Sequence, residues 1–67
     1  MKILNGIIKT LTVWFKNNLL SRETANELFI HRNTLDYRLK RISEITKLNL
    51  LTIESKVLLY VALQLKN

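Results

Sequence analysis

Between residues 24 and 42 the chain reads "TANELFIHRNTLDYRLKRI", two stretches of helical apolar spacing parted by about three polar residues. So short a break leaves a second helix no length in which to turn back alongside the first. The two must cross steeply, as helices joined by three- or four-residue turns do. Ala25 suits the crossing, because a larger side chain there would hold the helices apart. Leu28, Ile30, Leu35 and Leu39 supply the apolar wedge that fixes the angle.

The rest of the chain also reads as helix. It has no proline and a single glycine, Gly6, which argues against a sandwich built on Gly/Pro corners. Ile3, Leu4, Ile7, Ile8, Leu11, Trp14 and Phe15 recur at intervals of three and four and predict a first helix over 2–17, with a wide apolar stripe. Gly6 costs that helix about 1 kcal/mol relative to alanine, and Asn17 and Asn18 are its stop residues. Ser21 is placed to N-cap a second helix over 21–29, with Glu23 favourable against its dipole and Ala25, Leu28 and Phe29 on its buried face. Ile30 and His31 form the turn. A third helix over 32–46, capped by His31 or Asn33, turns Leu35, Leu39, Ile42 and either Ile45 or Thr46 inward. Lys47 to Leu51 connect to a fourth over 52–65, which Thr52 caps and Glu54 opens. Its "VLLYVALQL" is apolar nearly all round, so it should be covered on more than one side. The expectation is an all-α, four-helix single domain over residues 1–67.

Composition narrows the function. There is no cysteine and one histidine, so a disulfide framework, a thiolate metal centre and a sulfur nucleophile are out, and no cofactor is expected. No nucleophile–base pair or carboxylate cluster marks an enzyme. No apolar run approaches the 18 or so residues of a membrane span, and no cleavage site follows the N-terminal apolar stretch; a cytoplasmic chain is expected. The net charge is +6. Residues 1–20 and 31–47 each carry +3, while 21–30 carry −1 and 48–67 carry +1. Such a balance favours an anionic partner.

Wheel positions place that charge. Counted from Leu35 at 100° per residue, the outward face of the third helix holds Asn33, Tyr37, Lys40 and Glu44, flanked by Asp36 and Arg41. Arg32 and Thr34 lie at its N-terminal end. Arg and Lys donate to guanine and Asn pairs bidentately with adenine; Tyr37 offers its hydroxyl to a phosphate or sugar. Arg38 sits nearer the buried side, its stem along the first or second helix and its head within reach of a phosphate. Asp36 is spaced to pair with Lys40 at i,i+4 or to orient a neighbour and reject wrong bases. Ser21 and Thr24 bring backbone N–H groups at the start of the second helix to a phosphate.

These features form a helix-turn-helix pattern, although Phe29 stands where the generic motif often has glycine. "TANELFIHRNTLDYRLKRISEITKLNL", and above all "HRNTLDYRLKRI", resembles the C-terminal helix-turn-helix domain of PucR/CdaR-type bacterial transcription regulators, and Phe29 fits that family's turn. The likeness runs from about Thr10 to Leu65, with a broader one to Fis-type domains. Lys47 departs from it, since glycine commonly ends the third helix there. The resemblance implies a four-helix domain that binds double-stranded DNA sequence-specifically as the C-terminal part of a larger regulator, with sensor regions on its N-terminal side. Helix-turn-helix proteins commonly dimerise. Leu58, Ala62, Leu63 and Leu65 of the fourth helix are therefore the expected interface, to a second copy or to the missing sensor domain. The alternative from the same residues is a helical protein–protein interaction module without DNA binding.

Overall fold

Four helices follow one another with three short connections: α1 (Lys2–Lys16), α2 (Ser21–Leu28), α3 (Arg32–Thr46) and α4 (Ile53–Lys66). The computed structural model describes residues 2–66, and side chains for residues 5–65. The stripe residues Ile3 and Leu4 lie outside the described side chains. The described residues contain no strand, and the helix bounds agree with the pattern to within a residue at each end. No described helix is long and apolar enough to cross a membrane.

The core is the meeting of α1, α3 and the loop before α4. Leu11, Trp14, Ile42 and Leu50 form its buried cluster, with Ile7, Phe15, Leu19, Leu39, Leu59 and Leu63 packed around it. Leu50, in the connection before α4, is buried and joins Leu11, Trp14 and Ile42 in that cluster. Trp14 anchors α1 as a buried side chain and stacks at a tilt on Phe15, centroids 5.5 Å apart. Its indole Nε1 has no hydrogen-bond partner.

All three connections turn on left-handed residues, none of them glycine. After α1, Asn18 (φ 56°) and Leu19 (φ 66°) reverse the chain while the Leu19 N–H donates to the Trp14 carbonyl at 2.8 Å. Asn17 and Asn18 thus stop the helix as their positions suggest. After α2, Phe29 (φ 57°, ψ 42°) closes a Schellman motif: its N–H donates to the Asn26 carbonyl at 3.2 Å and the Ile30 N–H to the Ala25 carbonyl at 3.0 Å. After α3, Lys47 (φ 59°, ψ 26°) takes the conformation that glycine would hold more cheaply. Departure from glycine therefore leaves the end of α3 at Thr46.

Three local expectations are corrected and one open pair is settled. Ser21 is the first residue of α2 and not its N-cap; the cap position is Leu20, without a side-chain cap bond. Phe29 is not on a buried face: as the left-handed turn residue it projects outward and is 94% exposed. Of the pair left open on α3, Thr46 is the half-buried one and bonds the Ile42 carbonyl at 2.7 Å, while Ile45 is half exposed. Finally, α4 is not covered on several sides. It packs on α1 through Leu59 and Leu63, with Tyr60 edge-on to Phe15 at 5.4 Å, and leaves Val57, Leu58, Val61 and Leu65 exposed. Thr52 does cap it, accepting the Ser55 N–H at 3.2 Å.

Candidate nucleic-acid interface

The position of α3 is set from its inner stripe. Leu35 and Ile42 are buried to 0% and 2% exposure, with Leu39 half-buried between them. This i, i+4, i+7 row seats the helix against α1 and α2. Ala25, 3% exposed, lies on the helix that packs against both neighbours. Lys16 Nζ donates to Glu27 Oε2 at 2.9 Å and Asn17 Nδ2 to Glu27 Oε1 at 3.3 Å, tying the end of α1 to α2. Those hydrogen bonds hold the Glu27 carboxyl below its ordinary value.

Fixing the inner stripe fixes the outer one. Arg32, Asn33, Thr34, Asp36, Tyr37, Arg38, Lys40 and Arg41 are all exposed. They occupy the first ten residues of α3, so its N-terminal two-thirds presents one continuous polar and basic surface. The first intrahelical bond runs from the Leu35 N–H to the His31 carbonyl at 3.1 Å. The N–H groups of Arg32, Asn33 and Thr34 thus lack intrahelical acceptors, and no acidic residue stands in that first turn. His31 holds the N-cap position in an extended conformation, without a side-chain cap bond.

Two ionic details differ from the spacing argument. Asp36 and Lys40 form no ion pair among the described residues; instead Arg41 Nη1 donates to Glu44 Oε1 at 3.3 Å, with both side chains more than half exposed. Such a pair is worth under about 1 kcal/mol, so it does not prevent Arg41 from turning to a phosphate. Arg38 lies beside α1 as expected, lining with Tyr37 and Arg41 an open groove of about 380 Å³ against Gly6, Ile7 and Thr10.

The start of α2 contributes less than its sequence promised. Thr24 is fully buried, and both its N–H and its hydroxyl donate to the Leu20 carbonyl, at 3.0 and 2.8 Å. It has no donor left to offer a phosphate. Ser21 stays half exposed ahead of that bond. On α4, Leu58, Ala62 and Leu65 face outward, whereas Leu63 packs against the core. The spacing missed this because an all-round apolar helix does not announce which stripe is inward.

The pattern of the PucR C-terminal helix-turn-helix domain matches residues 7–65. The carbohydrate diacid regulator of Escherichia coli (strain K12) is 55% identical over 62 residues, 91% of this chain and 16% of that protein. The proline-responsive transcriptional activator PutR of Bacillus subtilis (strain 168) is 41% identical over 59 residues, 88% of this chain and 14% of that protein. The DNA-binding transcriptional activator AdeR of the same organism is 44% identical over 63 residues, 94% of this chain and 15% of that protein. No solved structure matches the chain at a significant level. The chain spans about one-seventh of the length of these relatives. A match that starts within α1 and runs almost to the end of α4 leaves no helix outside it: the chain belongs to the PucR C-terminal helix-turn-helix domain family.

Proposed function

We propose that this domain is the DNA-binding output module of a larger transcription regulator and that α3 reads the major groove. The observation that carries the reading is the division of α3: Leu35 and Ile42 are sealed in the core while its polar and basic side chains from Arg32 to Arg41 all stand in solvent. AdeR is named for DNA binding and PutR for transcriptional activation, and both align with nearly all of this chain. The N-terminal end of a recognition helix meets base edges, so Arg32 and Asn33 are the base readers, Arg32 toward guanine and Asn33 toward adenine, with Thr34 beside them. Lys40 and Arg41 neutralise phosphates. Tyr37 and Arg38 contact the backbone from the α1 side of the helix, and Ser21 meets a phosphate at the start of α2. Asp36, unpaired among the described residues, rejects wrong bases by repulsion.

Titration of a mixed-sequence duplex at several salt concentrations tests this. The wild type should bind with an affinity that falls steeply with salt. Lys40→Ala and Arg41→Ala should weaken binding to every duplex and make the log–log slope shallower by about 1 each. Asn33→Ala should instead relax the preference at one or two base pairs of a site selected from a random pool. Unchanged titrations for all three would refute the groove assignment.

A second reading, an association module, is favoured by one observation. Val57, Leu58, Val61 and Leu65 leave an apolar strip on α4 exposed to solvent, and strips of that kind mark interfaces. In this reading a second copy or the sensor region of the regulator covers α4. It is compatible with DNA binding and replaces it only if the duplex titration is flat.

A further inference from the structure

Phe29 combines a left-handed backbone with a large apolar side chain left in solvent, and the fold itself explains neither. It sits in the left-handed region at φ 57° and ψ 42°, where a β-carbon is unfavourable and glycine is at ease. The Schellman bonds that close the turn are made by backbone groups, the N–H of Phe29 to Asn26 and that of Ile30 to Ala25, and would form with any residue at position 29. The ring, 94% exposed, buries nothing in return. An aromatic ring held in solvent on an unfavourable backbone state, unlike a solvated lysine in the same state, points to a use outside the chain.

The surroundings narrow that use. Phe29 stands three residues before Arg32, within about 10 Å of it along even a fully extended chain, at the start of the polar face of α3. Its exposed neighbours are Asn26, Glu27, His31, Arg32 and Asn33, while Leu28 and Ile30 turn partly inward. None of these exposed neighbours is a large apolar residue, so among the described residues adjacent in sequence nothing extends the ring into an apolar patch for a protein partner. An aromatic ring isolated among polar and basic groups, beside the end of a helix reading base edges, matches the apolar surface that DNA itself offers: the deoxyribose face and the thymine methyl.

We infer that Phe29 is a DNA-contacting residue, its ring laid against a deoxyribose or a thymine methyl at the edge of the site read by Arg32 and Asn33. The inference rests on the DNA-binding reading above and adds to it an apolar contact that supplies affinity independent of charge. Domain stability is set against affinity at this one position: the residue best for the turn is the wrong one for the contact.

The experiment compares wild type, Phe29→Gly, Phe29→Ala and Phe29→Tyr on a duplex selected from a random pool by the wild-type chain, with thermal unfolding in parallel. Phe29→Gly should melt higher than wild type yet bind about tenfold more weakly or worse, as loss of much of a buried aromatic contact requires. Phe29→Ala should bind equally weakly without the gain in melting temperature. Phe29→Tyr, which keeps the ring, should bind within about threefold of wild type, a difference of under about 1 kcal/mol. The salt slope should be the same for all four, since no phosphate contact is lost. Replacing thymines by uracils in the duplex separates the two surfaces: an affinity drop in wild type that is absent in Phe29→Ala assigns the methyl, and no drop assigns the sugar. Wild-type affinity in both Phe29→Gly and Phe29→Ala would overturn the contact while leaving the groove assignment standing. Absence of any duplex binding by the wild type would overturn the DNA-binding reading, and this inference with it.

Discussion

Lys47→Gly should be more stable than Lys47→Ala, and by an amount that can be worked out beforehand. Lys47 ends α3 at φ 59° and ψ 26°, is exposed, and makes no side-chain hydrogen bond or ion pair among the described residues. A residue with a β-carbon gives up about 1–2 kcal/mol in that conformation. Glycine removes the penalty but adds freedom to the unfolded chain, offsetting about 0.4–1 kcal/mol. The midpoints leave a net gain of about 0.8 kcal/mol. For a domain this small 1 kcal/mol moves the melting temperature by about 4–8 °C, so that gain should appear as roughly 3–6 °C. The substitution also removes a positive charge from the C-terminal end of α3, where it is favourable by about 0.3–1 kcal/mol. Lys47→Ala removes the same charge and keeps the β-carbon, which makes it the proper reference. Thermal unfolding followed by circular dichroism, and by fluorescence of the buried Trp14, should place Lys47→Gly above Lys47→Ala by that margin. If the two melt together, position 47 is not left-handed in solution and α3 ends elsewhere than Thr46.

Three further outcomes test the packing. Ala25→Leu should overfill a site now 3% exposed, cost about 1–3 kcal/mol and abolish duplex binding by displacing α3; unaltered melting and binding would refute the close crossing. Because Lys16 and Asn17 hold the Glu27 carboxyl below its ordinary value, its share of stability is present above the unfolded-state value and disappears as pH falls through the folded one. Wild type should therefore lose melting temperature more steeply than Glu27→Gln on acidification through the carboxylate range, which parallel thermal scans will show. Leu58→Lys, on the exposed side of α4, should leave the domain helical while lowering any association seen by light scattering at high concentration; a wild type that stays monomeric there gives the α4 strip to a contact with another part of the regulator.

What was legible in the sequence follows the strength of its periodicity. In α3 each core position is a large aliphatic and each neighbour polar, so Leu35, Leu39 and Ile42 could be set inward and Asn33, Tyr37, Lys40 and Glu44 outward without coordinates, whereas Arg38, expected nearer the buried side, is exposed. The second helix was legible in place and in its start but not in its capping: Ser21 is a good cap by type, yet the cap position falls on Leu20, and a side-chain cap is one solution among several for the free N–H groups. The uniformly apolar α4 was the least legible. The expected interface of Leu58, Ala62, Leu63 and Leu65 includes one residue of the stripe that packs, Leu59 and Leu63, a stripe chosen by Phe15 and the α1 surface and not by any contrast within α4. Ion pairing was equally hard to read, since Asp36–Lys40 and Arg41–Glu44 are comparable spacings whose difference in energy is a few tenths of a kcal/mol.

The turns invert the usual signal, and that inversion ties stability to function. Glycine is ordinarily the mark of a left-handed turn, but here the lone glycine lies inside α1, where an added β-carbon would meet nothing within 4 Å, while Asn18, Leu19, Phe29 and Lys47 hold the left-handed positions. These four do not hold them for one reason. Asn tolerates the conformation by its short polar side chain. Leu19 is compensated by packing against the core cluster. Lys47 has no such packing, only its favourable charge at the C-terminal end of α3, which is why the gain from glycine is read against Lys47→Ala. Phe29 also lacks an internal compensation, so on stability alone it should behave as Lys47 does. The pair therefore forms a controlled comparison: each glycine variant should melt above the alanine variant at the same position, and if Phe29 serves the duplex while Lys47 does not, only Phe29→Gly should bind more weakly through a loss that leaves the salt slope unchanged. Equal binding by both would reduce Phe29 to a second uncompensated turn residue.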